Sequence, residues 1–453
     1  MSEIRRVLVA CRGEIAVRAI RACKALGIES VAAVSEVDRE SLPARLADRS
    51  VCIGPSRADE SYLKVGAVVA AALGTGSGAV YPGYGFLSER PQLPEACVQN
   101  GLTFIGPTAG NMIQMGDKVR ARQIARELGV PVVSGTDLVR DYKEALASGE
   151  EIGYPVLLKA AAGGGGRGIS LVNSPQDLKS KFEVASAEAR AAFGDGGLYV
   201  ERYVSNARHV EVQILGDRFG NVIHLGERDC SLQRRHQKIL EEAPSIVLPP
   251  DLREQMCSAA VKLARHIGYQ SAGTIEFLLD LDRKQFYFME MNTRIQVEHP
   301  VTEMITGQDL VRHQIQIAAG EPLKLAQSDV VSKGHALECR INCESPDRGF
   351  FPSPGRISEW APPNGTDVRV DTHCFTGYFV PPYYDSLLAK LIVKGSDRQE
   401  AIERMQDALA HFRVSGVDTT ISFHRRLLEH PDFLNGKVNT VWIENSFLKG
   451  TPN

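Results

Sequence analysis

The chain has 453 residues, of which 43% are hydrophobic and 24% are charged, and its formal net charge is −3 at pH 7. This length predicts two to four domains with enough apolar material for several cores. The charge excludes general affinity for nucleic acid or anionic membranes, although it leaves room for a local basic pocket.

Neither the start nor the interior of the chain has a targeting or membrane-spanning pattern. The first residues lack the apolar core of a secretory signal, and no run approaches the roughly 20 apolar residues that a membrane span needs. The nine cysteines are widely scattered, which predicts reduced thiols rather than a disulfide framework. We therefore expect a cytoplasmic protein.

The first hundred residues alternate between strand and helix patterns. Residues 6–11 and 30–34 read as buried strands, and they flank an amphipathic helix over 14–26 that Gly27 ends. A helix over 62–73 and a short strand over 79–81 follow. This order predicts a parallel sheet. No GxGxxG motif is present, so a dinucleotide site is not predicted.

The middle of the chain contains a glycine-rich segment. A helix over 117–128 precedes a strand over 155–160, and this strand runs into AAAGGGGRG at 160–168, before a charged helix over 175–193. Glycine amides can approach phosphates closely, and Lys118 and Lys159 could supply charge. Four consecutive glycines predict a mobile lid, but such a loop can equally be a flexible connector. It is not a Walker motif, because no GK[ST] follows.

The strongest pattern is a predicted hairpin. Residues 274–279 and 286–292 read as strands, and a turn between them places Glu276 opposite Glu290, with Asn292 on the same face. Facing carboxylates repel each other, and a divalent cation such as Mg²⁺ or Mn²⁺ would remove that penalty. The alternative is a solvated polar face in another register. Spacing alone leaves both interpretations open.

The residues after the hairpin extend this acidic face. Arg294, Gln296 and Glu298 alternate with apolar residues, so an extended chain would place all three on one side. An arginine fork can hold an oxyanion, and a neighbouring carboxylate can act as a general base. The alternative is a surface ladder of ion pairs.

A short basic cluster precedes the hairpin. It comprises Arg234, Arg235, His236 and Lys238, and acidic residues flank it on both sides. It is too short for a nucleic-acid surface and favours a local anion site. A polar connector over 322–333 then leads to a turn-rich C-terminal part with a helix over 398–412.

Taken together, these motifs resemble the biotin carboxylase family of the ATP-grasp superfamily over essentially the whole chain. The resemblance is carried by RGEIAVR (12–18), YPGYGFLSE (81–89), FIGP (104–107), MGDK (115–118), KAAAGGGGRG (159–168), RHVEVQ (208–213), ERDCSLQRRHQK (227–238), EMNTRIQVEHPVTE (290–303), ECRIN (338–342), FPSPG and PPYYDS. It implies an α/β and α+β chain with a Rossmann-like N-terminal domain over 1–116. An ATP-grasp domain over 117–320, with a lid at about 131–203, and a mixed C-terminal domain over 334–446 follow.

The resemblance also implies which residues form the site. Nucleotide contacts are expected from Lys118, Lys159, Gly165, Gly166, Glu201, Arg202, Tyr203, Val204, His209, Gln233 and His236. Glu276, Glu290 and Asn292 match metal ligands, where Glu276 and Glu290 also belong to the nucleotide site. Substrate contacts are expected from Lys238, Arg294, Gln296, Val297, Arg340 and Tyr84. The expected catalytic residues are Arg294, Glu298, Lys238 and Arg340. In the resemblance, Lys238, Arg294 and Val297 match bicarbonate contacts. Glu298 matches the base, and Arg340 matches the residue that steadies the biotin enolate.

The implied activity is ATP- and bicarbonate-dependent carboxylation of biotin through carboxyphosphate. The chain shows no biotin-attachment segment and no carboxyltransferase extension, so a biotin carboxyl carrier protein and carboxyltransferase subunits are expected as separate chains. Acetyl-CoA carboxylase, in fatty acid biosynthesis, is the expected complex, although the sequence leaves another acyl-CoA, pyruvate or a different acid open as the acceptor. A homodimer is also expected, although Ala25 and Thr366 differ from the contacts of some relatives.

Two other functions stay open from the sequence. The grasp elements alone allow another ATP-grasp ligase, such as a carboxylate–amine ligase, and an inactive scaffold subunit is the non-enzymatic alternative. Stimulation of bicarbonate-dependent ATP hydrolysis by free biotin distinguishes them from a biotin carboxylase.

Overall fold

The computed structural model describes residues 4–161 and 168–449. Gly165, Gly166 and most of the predicted glycine lid lie outside these ranges, so the expectations for them stay predictions.

The N-terminal part is a parallel five-stranded sheet between helices, as the sequence predicts. Its elements are β1 (Arg6–Val9), α1 (Gly13–Ala25), β2 (Glu29–Val34), α2 (Leu42–Leu46), β3 (Arg49–Cys52), α3 (Val65–Gly74), β4 (Ala79–Tyr81), α4 (Gln92–Gln99), β5 (Thr103–Phe104) and α5 (Ala109–Gly116), with 3₁₀ turns at Glu36–Asp38 and Ala58–Glu60. The strand order is β3-β2-β1-β4-β5. The helix predicted from residue 62 begins only at Val65, because Tyr62 is buried and its hydroxyl donates to Asp38 at 2.8 Å.

A small antiparallel sheet with two helices follows, and its strand order is β6-β9-β7-β8. Its segment comprises α6 (Lys118–Glu127), β6 (Gly135–Val139), α7 (Tyr142–Ile152), β7 (Val156–Ala160), β8 (Ile169–Val172), α8 (Pro175–Phe193) and β9 (Leu198–Arg202). Asp117 caps α6 by accepting from the amides of Val119 and Arg120, which fixes the start of the helix that carries Lys118.

The rest of the described chain is organised by one eight-stranded antiparallel sheet, with the order β14-β13-β10-β11-β12-β15-β22-β20. The elements are β10 (Ala207–Gly216), β11 (Val222–Arg234), β12 (Gln237–Ala243), α9 (Pro250–His266), β13 (Ser271–Asp280), β14 (Gln285–Asn292), α10 (His299–Thr306), α11 (Leu310–Ala318), β15 (His335–Asn342), β16 (Glu344–Ser345), β17 (Phe351–Pro352), β18 (Gly355–Arg356), β19 (Glu359–Ala361), β20 (Val368–Thr372), β21 (Phe379–Val380), β22 (Leu387–Gly395), α12 (Arg398–His411), β23 (Arg413–Ser415), α13 (Ile421–Leu428) and α14 (Pro431–Leu434). Single 3₁₀ turns lie at Gln327–Asp329 and Pro346–Arg348, and a π-helical turn lies at Ile443–Phe447.

This large sheet crosses the predicted boundary between the ATP-grasp and C-terminal parts. β12 pairs with β15, so that Glu241 lies opposite Glu338. Leu337, Cys339 and Ile341 of β15 pack into the apolar core. Since side chains alternate along a strand, Glu338 and Arg340 lie on the opposite face. The C-terminal part thereby adds a wall to the central sheet.

Two expectations from the sequence concern membrane-spanning helices and disulfide bonds. Across the described ranges, no helix combines the length and the apolar composition that a membrane crossing requires. All nine cysteines lie in the described chain, and all are free thiols.

Candidate active site

A cleft of about 1030 Å³ lies between the small sheet, the large sheet and the N-terminal part. Most of the site residues expected from the sequence line it, namely Tyr84, Lys118, Lys159, Glu201, His209, Gln233, His236, Lys238, Glu276, Glu290, Asn292, Arg294, Gln296, Val297, Glu298 and Arg340. The structure therefore brings together residues that are more than 250 positions apart.

Three expected nucleotide contacts do not line the cleft. Arg202 instead donates to Asp280 at 3.1 Å, the Tyr203 amide donates to the Pro155 carbonyl, and Val204 is buried. These residues form the connection between the small and large sheets.

The predicted hairpin forms, and Glu276 is paired to Glu290 as predicted. The register nearer the turn differs by one residue, because Phe277 pairs with Phe288 and the pairing shifts between Glu276 and Phe277. Glu290 Oε2 lies 3.1 Å from Lys118 Nζ, whereas Glu276 Oε1 accepts from Lys238, Asn292 and Gln296 at 2.8–2.9 Å. Burial would raise the pKa of Glu276, but Lys238 and His209 lower it well below its ordinary value. Two carboxylates and an amide form an oxygen-rich donor set, which fits Mg²⁺ or Mn²⁺.

Lys238 is the electrostatic centre of the cleft. Its Nζ donates to Glu211 at 2.6 Å, Glu276 at 2.9 Å and Glu298 at 2.7 Å. Burial alone would lower the pKa of Lys238, but the three carboxylates raise it well above its ordinary value. The ammonium group is therefore charged, and it holds the three carboxylates around one point.

Two residues of this network, Glu211 and Arg228, were not predicted. Arg228 is fully buried, and it donates to Glu211 at 2.7 Å and to Gln296 at 3.0 Å. β10 lies between β11 and β13, so Glu211 pairs with Arg228 on one side and with Glu276 on the other. Each is one of several polar residues in its strand, so neither stands out in the sequence. The charge complementarity appears only when the strand order is known.

The segment after the hairpin is not extended, contrary to the expectation for Arg294, Gln296 and Glu298. It is an irregular loop that ends in a turn at Glu298, whose φ and ψ are −80° and 8°, and α10 then begins with Pro300 in its first turn. Proline suits a first turn, because no partner for its nitrogen is needed there. The three side chains still converge on the cleft, since Gln296 bonds to Glu276 and Glu298 to Lys238.

Arg294 and Arg340 reach the cleft from different parts of the chain. Arg294 Nε donates to Glu89 at 2.9 Å, and its Nη2 donates to Asn292 at 3.0 Å. Arg340 Nε donates to Glu241 at 2.6 Å, and its Nη2 donates to Glu298 at 2.9 Å. Burial would raise the pKa of Glu298, but Lys238 and Arg340 lower it below its ordinary value, so its carboxylate is ionised.

The opposite end of the cleft carries simpler ion pairs. Glu201 accepts from Lys159 at 3.0 Å and from Arg122 at 2.6 Å, and these two cations lower its pKa against the effect of burial.

His209 lies 3.2 Å from Glu276 and 3.0 Å from Gln233. Burial would lower the pKa of His209, but Glu276 raises it to about 9.

The predicted basic cluster is split by a tight turn, in which Arg235 and His236 have φ of 49° and 62°. Lys238 and His236 line the cleft. Arg234 instead stacks on Phe350, 3.9 Å from the ring centroid, and the Arg235 amide donates to Glu444. The cluster as a whole is therefore not one anion site.

Comparison with known proteins shows similarity over nearly the whole chain. Residues 3–112 match the family described as the biotin carboxylase N-terminal domain, residues 117–326 the carbamoyl-phosphate synthase L chain ATP-binding domain, and residues 338–445 the biotin carboxylase C-terminal domain. The chain is 54% identical to a biotin carboxylase of Nostoc sp. over 440 residues, which are 97% of this chain and 98% of that protein.

Two solved structures are similarly close. A biotin carboxylase from Campylobacter jejuni, described as a β,γ-ATP complex, superimposes with a TM-score of 0.95 at 47% identity, covering 98% of this chain and 99% of that one. The biotin carboxylase domain dimer of the Hydrogenobacter thermophilus 2-oxoglutarate carboxylase, described with MgADP, ADP and bicarbonate, gives 0.94 at 48% identity and 98% coverage of both chains.

Proposed function

The chain belongs to the biotin carboxylase family, whose reaction is the ATP-dependent carboxylation of biotin, and on this premise we propose that it carboxylates carrier-bound biotin through carboxyphosphate. One observation carries the proposal. Glu298 lies between Lys238, at 2.7 Å, and Arg340, at 2.9 Å. An ionised base is thereby placed between one cation that faces the acidic hairpin and another that belongs to the C-terminal wall.

In the first stage, Glu298 removes the proton of bicarbonate, whose oxygen then attacks the γ-phosphorus of ATP. The bond from that phosphorus to the β-phosphate oxygen breaks, which yields ADP and carboxyphosphate. Lys238 and Arg294 hold the bicarbonate oxygens, together with Gln296 and Val297 of the same loop. These contacts favour the reaction mainly by positioning and by charge stabilisation.

In the second stage, carboxyphosphate breaks into CO₂ and phosphate. The phosphate takes the proton from the ureido nitrogen of biotin, and this nitrogen attacks CO₂. Arg340 stabilises the negative charge on the ureido oxygen while the nitrogen lacks its proton, and Tyr84 of the N-terminal part lines the same cleft. This charge exists only during the transfer, so its stabilisation accelerates the reaction.

At the other end of the cleft we assign ATP to Lys118, Lys159, Glu201, His209, Gln233 and His236. Glu276, Glu290 and Asn292 would hold Mg²⁺ or Mn²⁺, which supplies positive charge beside the phosphates when bound. Gly165, Gly166, Arg202, Tyr203 and Val204 stay predicted contacts.

We further propose that the chain works as a cytoplasmic homodimer with a biotin carboxyl carrier protein and carboxyltransferase subunits, in an acetyl-CoA carboxylase. The Hydrogenobacter thermophilus relative supports the dimer, since its structure is described as one. The same relative belongs to a 2-oxoglutarate carboxylase, so the acceptor needs its own test. Co-purification of the native complex and identification of its carboxyltransferase chain provide it.

The decisive test of the reaction uses free biotin with MgATP and bicarbonate. Biotin should stimulate ATP hydrolysis and become carboxylated, and both effects should require bicarbonate. ATP hydrolysis that an amine and a carboxylic acid stimulate instead would indicate another ATP-grasp ligase. No hydrolysis under any of these conditions would indicate a scaffold subunit.

A further inference from the structure

Two buried carboxyl groups lie behind Arg340, in the wall that the C-terminal strands form. Glu241 in β12 and Glu338 in β15 are directly paired across antiparallel strands, and both side chains are fully buried. Directly paired residues have Cβ atoms about 4.5–5.5 Å apart. Neither carboxyl group has a role in the reaction proposed above.

The contacts of this pair are incomplete. Glu241 Oε1 accepts from Arg340 Nε at 2.6 Å, but within the described chain neither Glu241 Oε2 nor either oxygen of Glu338 has a hydrogen-bond partner. Lys390, the nearby cation of β22, instead donates to the Val297 carbonyl at 2.8 Å and lies 3.0 Å from Glu14. Because buried polar atoms without a partner are costly, a proton shared by the two carboxyl groups is favourable, since it pairs two of these three oxygens.

Electrostatics identify which group carries this proton. Two carboxyl groups that are this close and this deeply buried do not both ionise. Burial raises the pKa of Glu338 well above its ordinary value, although Lys390 opposes the shift. Burial also raises the pKa of Glu241, but Arg340 opposes it more directly and the value is about 7. Glu338 is therefore the neutral donor and Glu241 the acceptor.

We propose that Glu338 and Glu241 share one proton and together act as positioning residues for Arg340 in the biotin half-reaction. Glu338 donates to Glu241 Oε2, which leaves Glu241 Oε1 to hold Arg340, whose Nε and Nη2 both lie 2.6 Å from it. When Glu298 takes the proton of bicarbonate, it loses the charge that draws Arg340 Nη2 toward it. Glu241 then keeps the guanidinium group in place while Nη2 turns to the ureido oxygen. This inference rests on the proposed role of Arg340.

The test measures two rates of the full-length protein with free biotin, MgATP and bicarbonate, namely carboxybiotin formation and biotin-independent ATP hydrolysis. Glu241→Ala should lower carboxybiotin formation about tenfold or more and raise the KM for biotin, because Arg340 loses its anchor. Its KM for ATP and its biotin-independent hydrolysis should change less than about twofold. Equal losses in both rates would overturn the proposal.

The shared proton is tested at Glu338. Glu338→Leu leaves Glu241 Oε2 without a donor and should lower carboxybiotin formation about tenfold, whereas the amide of Glu338→Gln can donate and should retain several times more activity than the leucine variant. In infrared spectra, the parent should show a buried protonated carboxyl band that Glu338→Gln lacks. Equal activity of the two variants, or absence of that band from the parent, would contradict the shared proton.

A matched control lies one residue along β12. Glu242 faces the other side of the strand, where it accepts from Arg398 at 2.7 Å and bonds to His335 at 2.9 Å. Glu242→Gln should lower thermal stability and leave the ratio of the two rates as in the parent. Arg340→Ala separates the two hypotheses. If it carboxylates biotin at the parent rate, the proposed role of Arg340 fails. If Arg340→Ala lowers carboxybiotin formation but Glu241→Ala does not, the positioning proposal fails and the proposed role of Arg340 stands.

Discussion

The two ends of the cleft differ in how their charged side chains are buried and paired. At the phosphate end, defined by Lys118, Lys159, Glu201 and Glu290, the charges form small groups. The side chains of Lys118 and Glu290 are 28% and 34% exposed, whereas Glu201, which Lys159 and Arg122 share, is buried. At the carboxylation end, defined by Lys238, Glu298, Arg340 and Glu241, the carboxylates are 2% and 0% exposed and share their cations.

This difference predicts different responses to mutation. An exposed ion pair is screened by solvent, so its loss removes little beyond the contact with a ligand. A buried group that several partners share leaves all of them uncompensated when it is removed. Substitutions at the carboxylation end should therefore affect stability and activity together, unless they are shape-conserving. Substitutions of the partly exposed pair Lys118 and Glu290 should affect ligand binding alone.

The largest effect is expected for Lys238→Met. It leaves Glu211, Glu276 and Glu298 without their common cation. Carboxybiotin formation and bicarbonate-dependent ATP hydrolysis should fall by about a thousandfold or more, and the free energy of unfolding should fall by about 3–5 kcal/mol. Activity assays and denaturant unfolding measure both quantities.

A control for this substitution is Lys324→Met, which removes a lysine whose side chain is 77% exposed and paired with Glu321. It should change neither quantity measurably. A Lys238→Met protein that keeps a tenth of the parent activity, or the parent stability, would remove the distinction between the two ends.

The next effect is expected at the phosphate end. Glu290→Gln keeps the shape of the side chain but removes one carboxylate from the acidic pair. At limiting Mg²⁺, ATP turnover should fall about a hundredfold, and excess Mg²⁺ should recover part of it. Unfolding should be unchanged, since Glu290 is partly exposed. Glu127→Gln, an exposed glutamate of α6, is the control. Parent turnover at limiting Mg²⁺ would reject the metal site.

A smaller and more selective effect is expected for Arg340→Ala. Carboxybiotin formation should fall about ten- to a hundredfold, while nucleotide affinity stays near that of the parent. Arg294→Ala should harm bicarbonate-dependent ATP hydrolysis as well, because Arg294 lies beside Asn292 of the acidic hairpin. If Arg340→Ala loses mainly ATP affinity, Arg340 belongs to the phosphate end and the comparison fails.

The sequence predicts the two ends unequally. The Glu276–Glu290 pair is predicted from a turn centred near Arg283 and the alternation of a strand. The structure reaches the same pair through a different turn register and a shift between Glu276 and Phe277, which the local pattern does not reveal. The parallel N-terminal sheet is also predicted from local periodicity. Local patterns already indicate Glu298 as a possible base and Lys238 as part of an anion site, whereas Arg340 is indicated only by the family resemblance. Nothing in the three segments themselves shows that these residues meet.

The site residues that the sequence does not predict show why local patterns are insufficient for the carboxylation end. Glu211 meets Arg228 because β10 lies between β11 and β13, and Glu241 meets Arg340 because β12 pairs with β15 across the predicted domain boundary. Strand order in a sheet depends on global packing, which periodicity does not encode. For a related reason the sequence predicts an extended chain around Glu298, where the structure has an irregular loop. Polar and apolar residues also alternate in loops that tertiary hydrogen bonds hold in place.

The smallest effect expected is a pH dependence of stability at the carboxylation end. His424 in α13 is fully buried, and its Nε2 lies 2.8 Å from the carbonyl oxygen of Arg340, to which the neutral ring donates. Burial lowers its pKa from 6.5 to about 4. Between these values the unfolded chain binds a proton that the folded chain does not, so the free energy of unfolding rises with pH across this window. One such proton contributes a slope of at most about 1.4 kcal/mol per pH unit.

His424→Gln can still donate to the carbonyl but does not titrate. Its unfolding free energy, measured by denaturant from about pH 5 to 7.5, should therefore depend less on pH than that of the parent. His411→Gln, at an exposed histidine, should keep the parent slope. An equal slope for His424→Gln would show that His424 binds its proton equally well in the folded and unfolded chains.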